Sequence, residues 1–248
     1  MSDAISKKKI KRFDKIENQR RFFDLFSRSY HLTGFLSCGL ANRTRKRSLK
    51  ILNLSEGGIV CDLMCGNGDN IGILKKYFRC EKIIGVDVSG GMIRRAQERF
   101  GKKDIVYFTE NALASSVPSD SCDAVSCIFG FKTLRPEQRD ILISEVYRIL
   151  KPSGTFVFTE LSEPAGFARF FWSLYFVYFL PQIGKLISYP FVGKEYLANS
   201  IRDFGAIFSD EPSFRSVFPK VNLFRWYGGI VTGAFGQKCS SDRSGNFS

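Results

Sequence analysis

One stretch constrains this chain more than any other: "IVCDLMCGNGDN", Ile59 to Asn70. An apolar run, Ile59–Leu63, breaks at two glycines, Gly66 and Gly68, and a helix-like segment follows. Strand, glycine turn and helix in that order build the mouth of a nucleotide site in an open α/β sheet. The chain then repeats the alternation. Its patterning predicts strands at 59–63, 82–88, 104–108, 123–128 and 155–161, with helices near 69–79, at 90–100 and at 136–150. Strands alternating with helices at this spacing imply parallel pairing in a doubly wound sheet. "KPSG", 151–154, reads as the turn between the last of these helices and the fifth strand.

The remainder sorts by composition. Residues 1–12 and 239–248 are polar and read as a disordered arm and tail. Between them, 13–238 is long enough for one α/β domain with a full core. Helical spacing of apolar residues runs through 14–54, among them Phe22, Phe23, Phe26, Leu32, Phe35 and Leu36. A second cap-like stretch, about 164–209, separates the fifth strand from the last two. Its segment 167–191, "FARFFWSLYFVYFLPQIGKLISYPF", is far more aromatic than the rest, and its apolar part, 170–180, is too short to span a bilayer. It is expected to form a greasy lid over an apolar substrate. The last two strands are expected at 221–227 and 230–235, joined around Gly228-Gly229.

Seven cysteines without a CxxC pair, beside a single histidine, argue for buried reduced thiols and against a zinc set or a disulfide framework. No apolar signal region opens the chain, so a cytoplasmic protein is expected. The charge is uneven. Residues 1–50 hold 14 Lys/Arg against 4 Asp/Glu, mostly in "KKKIKR" (7–12) and "RTRKR" (43–47). Such a field favours an anionic membrane surface, with the protein peripheral to it, nucleic acid or a phosphorylated substrate; the plain alternative is a solvated basic arm. Nucleic acid is the weaker case, because the aromatics form one patch and do not interleave with Lys/Arg as stacking platforms would.

The glycine spacing is G-x-G-x-x-x-G, at Gly66, Gly68 and Gly72, which is not the dinucleotide fingerprint. Asp87 ends the second strand 21 residues after Gly66, where a carboxylate reaches ribose hydroxyls. That suits NAD and S-adenosyl-L-methionine equally. "ENA", 110–112, follows the third strand, where polar groups meet an adenine edge. Asp62 and Asp69 flank the turn. Acids there disfavour a pyrophosphate and favour a ligand carrying an ammonium and a sulfonium, which is S-adenosylmethionine.

With these residues in place the chain resembles the UbiE-type family, the S-adenosylmethionine-dependent C-methyltransferases of ubiquinone and menaquinone synthesis. The stretches that carry the resemblance include "FFDLFSRSYHLTGFLSCGL" (22–40), "VCDLMCGNGD" (60–69), "IIGVDVSGGMI" (83–93), "EVYRILKPSGTFVFTELSEP" (145–164) and "GGIVTGAFGQK" (228–238). They run through nearly the whole chain in order. The resemblance implies a class I methyltransferase fold: a Rossmann-like, seven-stranded, mostly parallel sheet with N-terminal helices and a helical insertion before the last two strands. It implies a cofactor set of Asp62, Gly66, Asn67, Gly68, Asp87, Val88, Met92, Asn111, Ala112 and Ile128, the last standing where the family often has serine. No metal is required.

The acceptor side departs from the family. "FGLRN" after the fourth strand becomes "FGFKT", so Lys132 and Thr133 replace an Arg-Asn pair. "YD" becomes Tyr30-His31. Methylating a phenolic or enolic carbon needs a base near pKa 7 or a cation beside the oxyanion. His31 suits the first role, Lys132 the second, and Tyr30 could relay a proton. The simpler roles are a packed His31 and a Lys132 paired with Glu160. The expected acceptor is a hydrophobic small molecule: an isoprenoid quinol, phenolic, polyketide or terpenoid. The rival readings are a relative that binds the cofactor without methylating and a nucleic-acid methyltransferase. No oligomeric state is read from the sequence.

Overall fold

The computed structural model describes residues 39–164 and 203–240, together with 20, 21, 23, 24, 37, 166, 169, 170 and 201. Tyr30, His31, the 1–12 arm and nearly all of the aromatic insertion lie outside the described residues. The chain order is α1 (Leu40–Ile51), β1 (Ile59–Leu63), α2 (Asp69–Tyr77), β2 (Lys82–Asp87), α3 (Gly90–Phe100), β3 (Ile105–Thr109), β4 (Cys122–Ile128), α4 (Pro136–Ile149), β5 (Leu150–Leu161), α5 (Glu211–Val217), β6 (Val221–Trp226) and β7 (Val231–Gln237). The seven strands form one sheet in the order β3-β2-β1-β4-β5-β7-β6. β1 to β5 pair in parallel; β7 runs antiparallel to both β5 and β6.

Side-chain alternation explains why both faces are covered. On β1, Val60 enters one apolar cluster with Leu49, Ile71, Leu74 and Ile93, while Cys61 and Leu63 enter the other. On β5, Val157 joins the first cluster, and Phe156 and Phe158 join the second with Phe131, Phe214 and Phe218. A strand buried on both sides reads as a continuous apolar run, as "IVCDL" does. The rings of Phe156 and Phe218 lie 4.1 Å apart, and those of Phe131 and Phe158 meet edge to face at 5.0 Å.

"KPSG" is not a separate turn before the fifth strand. Leu150 already pairs with Cys122, and pairing resumes at Thr155 with Ala124. Residues 151–154 therefore bulge opposite Asp123, with Ser153 at φ 64°. Lys151 closes the bulge by donating from Nζ to both Asp123 carboxylate oxygens at 2.9 and 2.8 Å.

The basic run "RTRKR" does not project into solvent as a block. It lies in α1, where Thr44, Arg45, Ser48 and Leu49 are buried against the sheet. The Arg47 guanidinium sits 4.1 Å from the Trp226 ring centre, and the Lys46 ammonium 3.6 Å from that of Tyr77. Long cationic side chains can cover apolar surface in this way. Two of the five residues in the run are thus held on aromatic faces, and two more, Thr44 and Arg45, are buried.

Candidate active site

The site forms at the C-terminal ends of β1, β2 and β4, where open α/β sheets bind ligands. After β1 the chain turns sharply. Met64 takes φ 57°, Gly66 φ 54° and Gly68 φ 82°. The turn is tied down by three bonds. Cys65 N donates to Val86 O at 3.0 Å, Gly68 N to Cys65 O at 3.1 Å, and Gly66 N to Asp87 Oδ2 at 2.8 Å. At Gly66 a Cβ would meet nothing within 4 Å, so the missing side chain leaves open space on the cavity. Gly72 has another task. A Cβ there would come within 2.7 Å of the Phe100 ring, so this glycine lets α2 approach α3.

Asp87 is the best-determined polar group of the site. Its Oδ2 accepts from Gly66 N, and its Oδ1 from Ser89 N at 2.9 Å. Burial raises its pKa to about 6, against the pull of those two N–H donors; Asp24 nearby adds to the rise. Asp24 comes from the N-terminal segment. It accepts from Ser89 Oγ at 2.5 Å and from Gly91 N at 2.9 Å, at the start of α3.

Asp87 opens on a cavity of about 860 Å³, mouth included. Gly66, Asn67, Asp87, Val88, Met92, Asn111, Ala112 and Ile128 line it together. Asn111 is fixed by its own loop, its Oδ1 accepting from Leu113 N at 3.0 Å. The two other positions predicted for the cofactor, Gly68 and Asp62, are not in the wall. Gly68 caps α2 and packs on Ala96 and Phe100. Asp62 lies beneath the turn, fully buried, and its Oδ1 accepts from Ser126 Oγ at 2.6 Å and Asn70 Nδ2 at 2.9 Å. Its Oδ2 has no hydrogen-bond partner among the described residues. Burial raises its pKa to about 6 in spite of those bonds and of Arg45.

Of the remaining wall only Thr133, one of the two acceptor-side replacements, was foreseen. Phe23, Arg45, Met64, Phe129, Thr133 and Leu134 face the same cavity. Phe129 follows β4 with φ 68°, an uncommon conformation for an aromatic residue and a mark of local strain. The chain then enters a 3-10 turn, Phe131–Thr133. Gly130 is required there, because a Cβ would lie 2.8 Å from that of Met64.

Lys132 stands on this turn, as its sequence position suggests, but it is not in the cavity wall. Its Nζ donates to Glu160 Oε2 and to Phe129 O, both at 2.8 Å, and its backbone N donates to Glu160 Oε1 at 3.2 Å. The two side chains are 3% and 0% exposed, so the ammonium is buried against Glu160. The Glu160 carboxylate thus clamps the turn that carries Thr133.

A sheet of this order, a glycine turn braced by an acid on the neighbouring strand and a cavity across both describe a fold; the family is decided by the sequence. The family model described as "ubiE/COQ5 methyltransferase family" matches residues 12–238. The chain belongs to that family. Among curated relatives, the ubiquinone/menaquinone biosynthesis C-methyltransferase UbiE of Geobacter sulfurreducens is 32% identical over 208 residues, 79% of this chain and 80% of that one. The demethylmenaquinone methyltransferase of Lactiplantibacillus plantarum is 27% identical over 231 residues, 90% and 97% of the two chains. A SAM-dependent methyltransferase of Thermotoga maritima shares the fold, with a TM-score of 0.63 and 16% identity over 88% of this chain and 99% of that one. This ubiE/COQ5 member is a methyltransferase enzyme. No helix among its described residues is long and apolar enough to cross a membrane.

Proposed function

We propose that the cavity binds S-adenosylmethionine and that the enzyme methylates a ring carbon of a hydrophobic, isoprenoid-quinol-like acceptor. The observation that carries the reading is the Asp87 carboxylate, held by two backbone N–H groups at the strand end and exposed to the cavity beside Asn111 and Ala112. A carboxylate so placed would accept from the two ribose hydroxyls. The residues fit the rest of such a ligand. Gly66 leaves room for close backbone approach, and the unpartnered Asp62 oxygen makes the floor of the turn electronegative, which favours a cation above it.

Bound there, S-adenosylmethionine supplies an electrophilic methyl group on a sulfonium. The protein's part is orientation and exclusion of water. Phe23, Met64, Ile128, Phe129 and Leu134 give the acceptor side an apolar wall, with Thr133 as a polar contact. Removal of a phenolic proton falls to Tyr30 and His31 in this reading, and Lys132 acts by holding the Phe129–Thr133 turn. Curated relatives named for menaquinone and ubiquinone biosynthesis support the acceptor class. The test pairs calorimetric titration with S-adenosylhomocysteine and transfer of labelled methyl from S-adenosylmethionine to a demethylmenaquinol. Micromolar binding and label on a ring carbon are expected. Lack of binding removes the cofactor; binding without transfer to any quinol removes the acceptor class.

The acceptor's apolar nature and the basic residues 7–12 together support peripheral attraction to anionic membranes. Deleting residues 1–12 should reduce co-sedimentation with phosphatidylserine vesicles, and salt should reduce it further by screening. A full-length protein that ignores such vesicles at low salt has no such attraction.

A further inference from the structure

Among the described residues that line the cavity, Arg45 is the only basic side chain and Asp87 the only acidic one. They approach from opposite sides of the glycine turn. Asp87 ends β2, and the neighbouring Asn111 and Ala112 follow β3. Arg45 enters from α1, which packs on α2, β4 and β5. Its guanidinium lies 4.9 Å from the centre of the Phe129 ring, just past β4. In the sheet order β3-β2-β1-β4 the acid therefore stands on one side of the β1 turn and the cation on the other.

Arg45 is 7% exposed, and its ion pairing among the described residues is loose. Nη1 donates to Asn70 Oδ1 at 3.1 Å. The nearest carboxylate oxygen, Asp69 Oδ2, is 3.6 Å from Nη2, beyond good hydrogen-bond distance, and Asp69 is also held by Arg99 at 2.7 Å. A guanidinium carries five N–H donors in a planar fork that matches a carboxylate. A ligand that offers hydroxyls to Asp87 and spans the turn would bring its far end to this fork.

We infer that Arg45 binds the carboxylate at the amino-acid end of S-adenosylmethionine. This rests on the reading of the cavity as a site for that cofactor. The Phe129 ring under the guanidinium and the Asn70 amide fix the fork's plane, so the arginine is preorganised for the contact. The same arrangement orders the network below: Arg45 donates to Asn70, and Asn70 donates to Asp62. The cation thereby couples the ligand's carboxylate to the acid under the turn.

The test compares two probes on one preparation: S-adenosylmethionine and its decarboxylated analogue, which keeps the ribose, adenine, sulfonium and ammonium. Because each variant serves as its own reference, the ratio of the two affinities does not depend on the folded fraction. Wild-type protein is expected to prefer the carboxylated ligand by about 10- to 100-fold, the scale of a charge-assisted bidentate contact. Arg45→Met should shrink that preference to within about threefold while leaving the analogue's affinity nearly unchanged. Arg45→Lys, which keeps the charge without the fork, should fall between. Asp87→Ala should weaken both probes alike and keep their ratio. An Arg45→Met protein that retains the wild-type ratio, or loses both probes equally, overturns the inference and leaves the cofactor reading standing. A wild-type protein that binds neither probe overturns the cofactor reading and this inference with it.

Discussion

Lys132→Met should lower the stability of the protein by about 3–5 kcal/mol, the usual result of removing one partner from a buried ion pair. Glu160 would be left fully buried, with only backbone N–H donors on its oxygens among the described residues. It would have to protonate or draw water into the core. The Phe129 carbonyl loses a donor as well. Because no Lys132 atom is in the cavity wall, affinity for S-adenosylhomocysteine should stay within about threefold in the folded protein. The decisive variant is Lys132→Met with Glu160→Leu. Removing both charges is far less costly than removing one, and can be neutral. If Lys132 acts by holding the turn, the double variant should regain most of the melting temperature and much of the single-turnover rate. A double variant as stable as wild type but at least a hundredfold slower would return the ammonium to the acceptor chemistry.

The difference between what the sequence disclosed and what it hid follows from how local each constraint is. Gly66, Gly68 and Asp87 were legible because a tight turn at a strand end, and an acid at the next strand's end, are requirements of backbone conformation and short chain spacing. β6 and β7 were legible for the same reason, the Gly228-Gly229 turn bounding two apolar runs. Arg45 was hidden among like charges. Its burial depends on which face α1 turns to Phe129, 84 residues away along the chain, and no apolar stripe marks that face. The buried positions Thr44, Arg45 and Ser48 are polar. A usable signal was present: Thr44/Arg45, Ser48/Leu49 and Leu52 recur at helical spacing, with small residues where the sheet approaches. Ser48 completes it by accepting from Thr159 Oγ1 on β5 at 2.8 Å. The Glu160–Lys132 clamp was readable as a possible pair, but its direction away from the cavity was not. That goes with a turn that opens on Phe129 at φ 68°, which no residue type announces, and whose Phe129 carbonyl takes one of the Lys132 donors.

Asp87→Ala should weaken S-adenosylhomocysteine binding about 10- to 100-fold at pH 7, since two hydrogen bonds to a charged acceptor contribute roughly 1.5–3 kcal/mol. The pH dependence tests the same group without deleting it. Burial holds Asp87 at about pKa 6, so it is mostly ionised at pH 7 and mostly protonated at pH 5. A protonated carboxyl cannot accept from both ribose hydroxyls and the two N–H groups as the carboxylate does. Affinity should therefore fall about tenfold between pH 7 and pH 5 and continue downward below that. Asp87→Asn should flatten most of this slope, any residue belonging to Asp62, which burial also holds at about 6. The stability of the ligand-free protein should move the other way. Both acids have folded-state pKa values above their ordinary 3.8, so between about pH 6 and 4 the folded state binds more protons than the unfolded one. Lowering the pH from 7 to 5 should then stabilise the free enzyme, by about 1 kcal/mol for each acid. Thermal melts and titrations across that range should show melting temperature rising while affinity falls. Affinity flat through pH 6 would mean that the Asp87 carboxylate does not hold the ribose.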